Sequence, residues 1–175
     1  KSEILEAERS KDELRDIMSR MIGAEIRYTQ LGFWMRQPPF GFVSEKVETN
    51  NGKRCILQPH PTEAQYITKI FDLRARGTMR DMEIVEEVNK LGYRGRVHYV
   101  RDKSDRSKVL KKRGGDSLTL KALDRIVTNP IYAGINAEKW TDGKPVQCAF
   151  KGLVSIDQFN RANKGKKIIT KDDQG

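Results

Sequence analysis

The sequence is poor in the residues that build metal sites and covalent cross-links. It contains two cysteines, Cys55 and Cys148, and two histidines, His60 and His98. Because no C-x-x-C pair is present, neither a structural zinc site nor a disulfide framework can be built from this segment. The histidines are isolated, and no serine, histidine and carboxylate stand at a motif spacing such as G-x-S-x-G. We therefore expect no catalytic residue, no metal and no cofactor.

Long apolar runs are also missing. No stretch approaches the roughly 20 apolar residues that span a bilayer, and no signal-peptide pattern opens the chain. These absences predict a cytoplasmic protein without a membrane partner. With 175 residues, of which 37% are hydrophobic, the chain is long enough for one core, or for one core and an arm. A second full domain is not expected.

Positive charge, by contrast, is abundant. The chain carries 34 lysine and arginine residues against 24 aspartate and glutamate residues, and such a surface attracts polyanions, above all nucleic acid. The excess is local, because residues 92–125 hold eleven basic and four acidic side chains. Most of this segment is rich in Ser, Asp, Lys and Gly and shows no periodicity. We predict a disordered basic loop in the free protein that can still bind phosphates.

The chain opens with the pattern of a long helix. Residues 2–31 predict one helix of about 45 Å at 1.5 Å per residue. Its apolar positions are Leu14, Ile17, Met18, Met21, Ile22 and Ile26. The first half is much poorer in apolar residues, so it should be solvated or docked on something outside this chain. Gly32 is expected to end the helix.

The segment GFWMRQPPFGF, residues 32–42, is here called the strap. Pro38 and Pro39 prevent helix formation and hold the strap near-extended. Its aromatic residues would anchor both of its ends, although a plain hydrophobic linker is an equal explanation for them. They are Phe33, Trp34, Phe40 and Phe42. Residues 42–57 then favour a β-hairpin, with a turn at residues 50–52 in a connection longer than two residues.

Two amphipathic patterns predict a pair of helices after the hairpin. Residues 61–76 begin with a tolerated proline, place apolar residues on one face and end at Gly77. A second helix is predicted from a cap at Thr78 to Gly92. The two apolar stripes indicate a core and not a cofactor site. They consist of Ala64, Ile67, Ile70 and Phe71, and of Ile84, Val85, Val88 and Leu91.

A third helix, predicted at 119–129 with a cap at Ser117 or Thr119, has two unlike faces. Its inward face is apolar and consists of Leu120, Leu123, Ile126 and Val127. Its outward face carries Lys121, Asp124, Arg125 and Thr128, which fall within roughly 100° of one another. Such a face suits the major groove of DNA. The alternative is an ordinary solvent-exposed face, and this alternative is favoured when the helix is considered without other evidence.

The chain ends with a short helix and a tail. SIDQF, residues 155–159, is a Ser-x-x-Gln capping box that opens a helix with Phe159 on its buried side. After Asn163 the composition indicates a frayed tail or linker.

Four stretches now stand in a recognisable order: QPPFGF, PTEAQYITKIFDLRARGTMRDMEIVEEVNKLGY, LTLKALDRIVTNPIYAG and LVSIDQFNRANKG. Together they resemble the recombinase domain of the large serine recombinases, over roughly residues 13–165. The resemblance implies an α+β fold, predominantly helical, with a long N-terminal helix, a helix-turn-helix-like DNA-binding domain and a short antiparallel β-hairpin. The expected parts are a linker helix at 1–31, the strap at 32–42, the domain at 43–165 and a tail at 166–175. Residues 96–116 are longer and more basic than the usual link of the family.

The resemblance also implies a function. In the family, a catalytic domain with a nucleophilic serine precedes this region and a zinc ribbon follows it, so this chain is expected to be a DNA-binding part without catalysis. The expected partner is double-stranded DNA at a recombination half-site, with no small-molecule substrate. The parent protein would perform site-specific recombination through a covalent phosphoserine link. It would act as a dimer on each site and as a tetramer in synapsis.

The DNA contacts are expected from three segments. The strap is slender enough for a minor groove about 6 Å wide, where Arg36 meets enhanced negative potential and Gln37 reaches base-edge acceptors. In the major groove, Lys121 and Arg125 are candidates for guanine edges or phosphates. Contacts with the DNA backbone are expected from Thr119 and Thr128. Non-specific phosphate neutralisation is expected from Arg94, Arg96, Lys111, Lys112 and Arg113.

Two other functions stay open. An RNA-binding module would use the basic loop at 94–113 beside aromatic residues to clamp single strands. A scaffold protein would form a coiled coil through residues 2–31, but the heptad pattern is broken.

Overall fold

A computed structural model describes residues 2–50, 52–138, 141 and 143–170, and side chains from residue 8 onward. The described residues form an α+β fold with five α-helices and three two-stranded antiparallel sheets, which confirms the predicted fold class. The helices are α1 (Ser2–Gln30), α2 (Ala64–Arg76), α3 (Asp81–Lys90), α4 (Leu120–Val127) and α5 (Ile156–Ala162). The strands are β1 (Phe42–Thr49), β2 (Gly52–Pro59), β3 (Val97–Arg101), β4 (Val109–Gly114), β5 (Ile135–Asn136) and β6 (Val146–Gln147).

The long helix α1 is confirmed, and it ends where Gly32 was expected to end it. Gly32 adopts φ +86°, a left-handed conformation that favours glycine. A Cβ at Gly32 would lie 2.6 Å from the carbonyl oxygen of Gln147, so the backbone needs a glycine there also for close approach. The Gly32 carbonyl accepts the N–H of Ala149 at 2.9 Å. This contact fixes the point at which α1 leaves the domain.

The two halves of α1 differ in how they meet the rest of the chain. Near its end, Tyr28 lies beneath Arg54 of β2, with the guanidinium carbon 3.9 Å from the ring centre. Further back, the apolar stripe stays between 41% and 60% exposed, and it comprises Leu14, Ile17, Met18, Met21 and Ile22. Most of α1 is therefore an arm that projects from the domain.

The core lies between α2, α3, α4, α5 and the base of the β1–β2 hairpin. Tyr132, in the 3-10 turn Pro130–Ala133, has its ring 5.9 Å from the ring of Phe42 and 5.7 Å from that of Phe71. Phe71 in turn lies 6.1 Å from Phe159 of α5. Full burial of one such side chain contributes about 1.5–3 kcal/mol. The strap's end and the last helix are thus joined through one aromatic cluster.

Both helices of the predicted pair are confirmed with corrected starts, since α2 begins at Ala64 and not at residue 61. Leu91, expected in the apolar stripe of the second helix, is 52% exposed. Gly77 closes α2 in the left-handed region, as expected. The expected cap at Thr78 is wrong, because α3 begins at Asp81. Arg80 is the N-cap residue, and its N–H donates to the Glu83 carboxylate at 2.7 Å. A side chain of the first turn thus satisfies a backbone donor at the helix start.

At α4 the cap was right and one core residue was wrong. Thr119 Oγ1 accepts the N–H of Ala122 at 3.2 Å. Leu120, expected inward, is 44% exposed, and Leu118 is buried in its place. The side chain of Asn89 in α3 accepts the Leu118 N–H at 2.7 Å and donates to the Leu118 carbonyl at 3.0 Å. This pair of hydrogen bonds pulls Leu118 inward and positions the start of α4.

The β1–β2 hairpin is confirmed, but its connection is shorter than predicted. Thr49 pairs with Gly52, so two residues join the strands, and Asn51 lies outside the described residues. The predicted disorder after Gly92 is wrong for the β3–β4 hairpin. Its turn is organised by Asp102, whose carboxylate accepts the N–H groups of Ser104 at 2.7 Å and of Asp105 at 3.1 Å.

The expected Ser155 cap of α5 is confirmed, while the tail is more ordered than expected. Ser155 Oγ accepts the N–H of Gln158 at 3.1 Å. The Asn160 side chain accepts the N–H of Ile169 at 2.9 Å and donates to its carbonyl at 2.8 Å. A frayed tail is therefore wrong for residues 164–170. Residues 171–175 of the predicted tail lie outside the described residues.

Candidate nucleic-acid interface

The strap is held to the domain through its carbonyl groups. Arg96 donates to the carbonyl of Pro38 at 2.7 Å and to that of Phe42 at 2.5 Å. Between them, the Tyr132 hydroxyl donates to the carbonyl of Phe40 at 2.9 Å. At the other end, the backbone N–H of Trp34 donates to the carbonyl of Cys55 at 2.9 Å. The strap is therefore a non-helical segment with a fixed backbone and not a loose linker, but it is not extended throughout, since it bends at Arg36 and turns at residues 40–41, where the Phe42 N–H donates to the Pro39 carbonyl at 3.1 Å.

Glu63, next to the start of α2, holds Arg96 in place. Its carboxylate accepts from Arg96 Nε at 2.8 Å and from the N–H of Gly41 at 2.9 Å. Burial by itself raises the pKa of the Glu63 carboxyl, but the bonds from Arg96 and Gly41 outweigh it, so the pKa lies below its usual value. The side chains of Arg96 and Glu63 are 26% and 14% exposed. The geometry therefore makes Arg96 a residue that positions the strap, in place of the expected phosphate contact.

The part of the strap that faces solvent is Met35, Arg36 and Gln37, all of which are exposed. The Gln37 carbonyl accepts the indole N–H of Trp34 at 3.3 Å, so the backbone is held beneath the exposed side chains. Arg36 forms an ion pair with Glu138 at 3.0 Å. The two strap residues expected to contact DNA thus lie together, on the side of the strap that faces solvent.

The outward face of α4 is partly occupied. Lys121 and Arg125 are exposed, but Asp124 forms an ion pair with Lys166 of the docked tail. The Thr128 hydroxyl donates to the carbonyl of Asp124 at 2.7 Å. A hydroxyl has a single hydrogen to donate, so Thr128 is committed to the helix.

The remaining expected residues surround the β3–β4 hairpin. Arg94 is exposed, and its guanidinium donates only at short range, to the neighbouring carbonyl of Tyr93 at 2.6 Å. Lys111, Lys112 and Arg113 follow one another on β4 and are all exposed. The hairpin therefore carries three consecutive basic residues on an ordered strand.

Several residues that build this interface were not singled out by their sequence pattern. Asn89 and Glu138 stand at positions that no periodicity distinguishes, and Lys166 was assigned to a frayed tail. Glu63 was noted only for its place at a helix start. All four act through partners far along the chain, with a separation of 42 residues between Lys166 and Asp124.

No metal or membrane chemistry joins this interface within the described part of the chain. No group of histidine, cysteine and acidic side chains there could hold a metal ion. Burial raises the pKa of the Cys148 thiol to about 12, so that thiol stays protonated and unreactive. None of the described helices is both long enough and apolar enough to cross a membrane.

Comparison with known proteins agrees with the motifs and the fold. The model of the protein family described as Recombinase matches residues 61–168, well over half of the chain. The chain belongs to the Recombinase family. This membership bears out the resemblance to large serine recombinases and supports a part in DNA recombination. In this recombinase domain, the matched range contains α2 to α5 and the β3–β4 hairpin, whereas the strap precedes it.

A solved structure gives the same fold over more of the recombinase domain. It is described by the words "Sequence Requirements of the Listeria innocua prophage attP site". The two chains share 18% sequence identity at a TM-score of 0.54, over 83% of this chain and 50% of that one. At this identity the likeness shows the fold, and this chain spans about half the length of the other. Comparison with curated proteins gave no match.

Proposed function

We propose that this recombinase domain binds double-stranded DNA sequence-specifically at a recombination half-site, as the DNA-binding part of a site-specific serine recombinase. One observation carries the proposal. The strap is fixed by hydrogen bonds from Arg96 and Tyr132 to its carbonyls, while Arg36 and Gln37 remain on its exposed side. A narrow, non-helical segment of this kind fits a minor groove about 6 Å wide. The arginine would meet the negative potential of that groove.

The major-groove contact is assigned to α4. Its N-terminus is positioned by the two hydrogen bonds between the Asn89 side chain and the Leu118 backbone. The exposed side chains of Lys121 and Arg125 can reach guanine edges or phosphates. Thr119 accepts a hydrogen bond as the helix cap and keeps its hydrogen for a phosphate oxygen. Thr128 has given its hydrogen to Asp124, so we retain Thr119 as a phosphate contact and give Thr128 a structural role.

Non-specific affinity is assigned to the exposed basic residues outside α4. Arg94, Lys111, Lys112 and Arg113 would neutralise phosphates and release counterions, which makes the binding depend on salt concentration. In the parent protein, this binding would place a dimer on each site and a tetramer in synapsis. The strand cleavage and religation would be performed by a catalytic serine that these residues do not supply.

The test separates specific from non-specific contacts with two variants of equal charge. The wild-type chain first selects a preferred duplex from a random library, and a scrambled duplex serves as reference. Arg125→Ala should cost about 1–3 kcal/mol on the selected duplex and relax sequence preference. Lys111→Ala should weaken binding to both duplexes alike and lower the salt slope by about one unit. Equal losses on both duplexes for both variants would contradict this division.

The same assay addresses RNA as the alternative partner. The affinity of the wild-type chain for duplex DNA is compared with its affinity for single-stranded RNA at equal salt. We expect the duplex to bind more tightly. A preference for the RNA strand would overturn the proposed function.

A further inference from the structure

The β3–β4 hairpin is an ordered ribbon that no described part of the chain covers. All residues of both strands are exposed. Its large apolar side chains are 38% to 56% exposed, and they are Val97, Tyr99, Val100, Val109 and Leu110. A two-stranded hairpin by itself is marginally stable in water. An uncovered ribbon of this length and composition therefore indicates a partner that binds along it.

The charge of the ribbon identifies that partner as a polyanion. Residues 97–114 contain seven lysine and arginine residues and two aspartates. Both aspartates lie in the connection between the strands, where Asp102 binds the turn and Asp105 accepts from the Ser107 hydroxyl at 2.6 Å. The strands themselves thus carry basic residues without an acidic one. A second copy of the ribbon would bring like charges together, which disfavours self-pairing.

The register gives the ribbon two different faces. Residues that pair across the strands share a face, so His98 with Arg113 and Val100 with Lys111 lie on the same side. We call this side, made of His98, Val100, Lys111 and Arg113, the cationic face. The opposite face carries Tyr99, which pairs with Lys112. One aromatic side chain gives little stacking surface, whereas proteins that bind single strands stack successive bases on several aromatic side chains.

The root of the ribbon is fixed between the two segments assigned to DNA. Its first strand follows Arg96, which holds the strap, and its last residues lead to Leu118 at the start of α4. The Gly95 N–H donates to the carbonyl of Asp116 at 2.9 Å. Gly114 adopts φ +81°, and a Cβ there would collide with the carbonyl oxygen of Arg96. The root is consequently closely packed and sets the direction of the ribbon.

We propose that the β3–β4 ribbon is a third DNA-binding element, which lays its cationic face along the sugar–phosphate backbone of the duplex held by α4 and the strap. This inference rests on the proposed function and extends it. A two-stranded ribbon is slender enough to lie against or within a major groove about 12 Å wide. Lys111 and Arg113 contact phosphates, and Val100, which pairs with Lys111 on the same face, packs on deoxyribose. The ribbon thereby lengthens the segment of DNA that one domain covers.

The test compares two double variants of equal charge on the same hairpin. Lys111→Gln with Arg113→Gln removes the cationic face, and Lys103→Gln with Arg106→Gln removes two charges from the turn. We expect the first pair to lower the salt slope for a long duplex by about two units, or roughly 30-fold in affinity near 0.15 M salt. The turn pair should change the slope by less than about half a unit. Lys111→Arg with Arg113→Lys should restore binding, and thermal unfolding verifies that each variant is folded.

Footprinting gives a second readout. Hydroxyl-radical cleavage should show a protected stretch of backbone beside the α4 site in the wild-type complex, and this stretch should vanish in the cationic-face variant alone. If the wild-type chain binds duplex DNA while the two pairs behave alike, the ribbon proposal is wrong and the proposed function stands. If the wild-type chain binds no duplex, both fail. A dimer in sedimentation without DNA that the cationic-face variant abolishes would instead identify a second copy as the occupant.

Discussion

Arg94 and Arg96 are two arginines of the same basic segment for which the structure predicts opposite behaviour. Arg96 donates to two strap carbonyls and to the Glu63 carboxylate, whereas the exposed Arg94 reaches only the neighbouring carbonyl. Replacement of either residue by alanine removes one positive charge. Arg96→Ala should therefore destabilise the fold, and Arg94→Ala should weaken DNA binding.

The magnitude follows from the lost partners. Hydrogen bonds to charged groups contribute about 1.5–3 kcal/mol each, but Arg96 is partly exposed, so water replaces some of this loss. We take about 1 kcal/mol for each carbonyl and about 1 kcal/mol for the ion pair, or roughly 3 kcal/mol in total. For a chain of this size this corresponds to a fall in Tm of about 6–12 °C. Arg94→Ala should change the unfolding free energy by less than about 0.5 kcal/mol.

The assay is urea unfolding of both variants, followed by DNA titration at several salt concentrations below their unfolding temperatures. Arg94→Ala should lower the salt slope by about one unit, and Arg96→Ala should leave it within about half a unit of the wild-type value. The assignment of Arg96 to the strap would be refuted if the two variants unfolded at the same urea concentration, or if Arg96→Ala alone lowered the salt slope.

Two further predictions concern acidic residues. Because its folded pKa is lowered, Glu63 stabilises the fold above its unfolded pKa of about 4.3, and this stabilisation is lost as pH falls through the folded pKa. The difference in unfolding free energy between the wild-type chain and Glu63→Gln should thus be largest at pH 7 and should shrink below about pH 4. Urea unfolding at a series of pH values measures this difference. A difference that does not change with pH would contradict the argument. Glu138→Gln removes the carboxylate paired with Arg36, so duplex affinity should rise, by up to about fivefold. An equal gain in an Arg36→Ala background would show instead a general effect of charge.

Much of the fold could be predicted because local patterns determine it. The apolar stripe of α2 and the closing glycine at Gly77 lie within a few turns of each other, and the cap at Thr119 acts three residues along the chain. The prolines of the strap exclude a helix whatever surrounds them. Each of these features can be derived from neighbouring residues alone.

The parts that could not be predicted depend on partners distant in the chain. Arg96 reaches Pro38 across 58 residues, so its position among basic neighbours indicated a phosphate contact. Among the described tail residues, Ile169 packs against the core while its neighbour Ile168 is exposed, and the Asn160 partner of Ile169 has no distinctive pattern. The β3–β4 hairpin was missed because both of its faces are exposed, which removes the alternation of apolar and polar residues that reveals a strand.

Arg96 lies at the junction of the strap and the ribbon, and this position has a geometric consequence. The Arg96 guanidinium donates to the strap carbonyls, and the Arg96 backbone leads directly into Val97, the first residue of the ribbon. The strap and the root of the ribbon therefore cannot separate without breaking these hydrogen bonds. The distance between the strap and the root of the ribbon would therefore be fixed when the domain binds DNA. Since each added base pair shifts the following groove by about 3.4 Å and rotates it by roughly 35°, the spacing within the target half-site would be dictated by the protein.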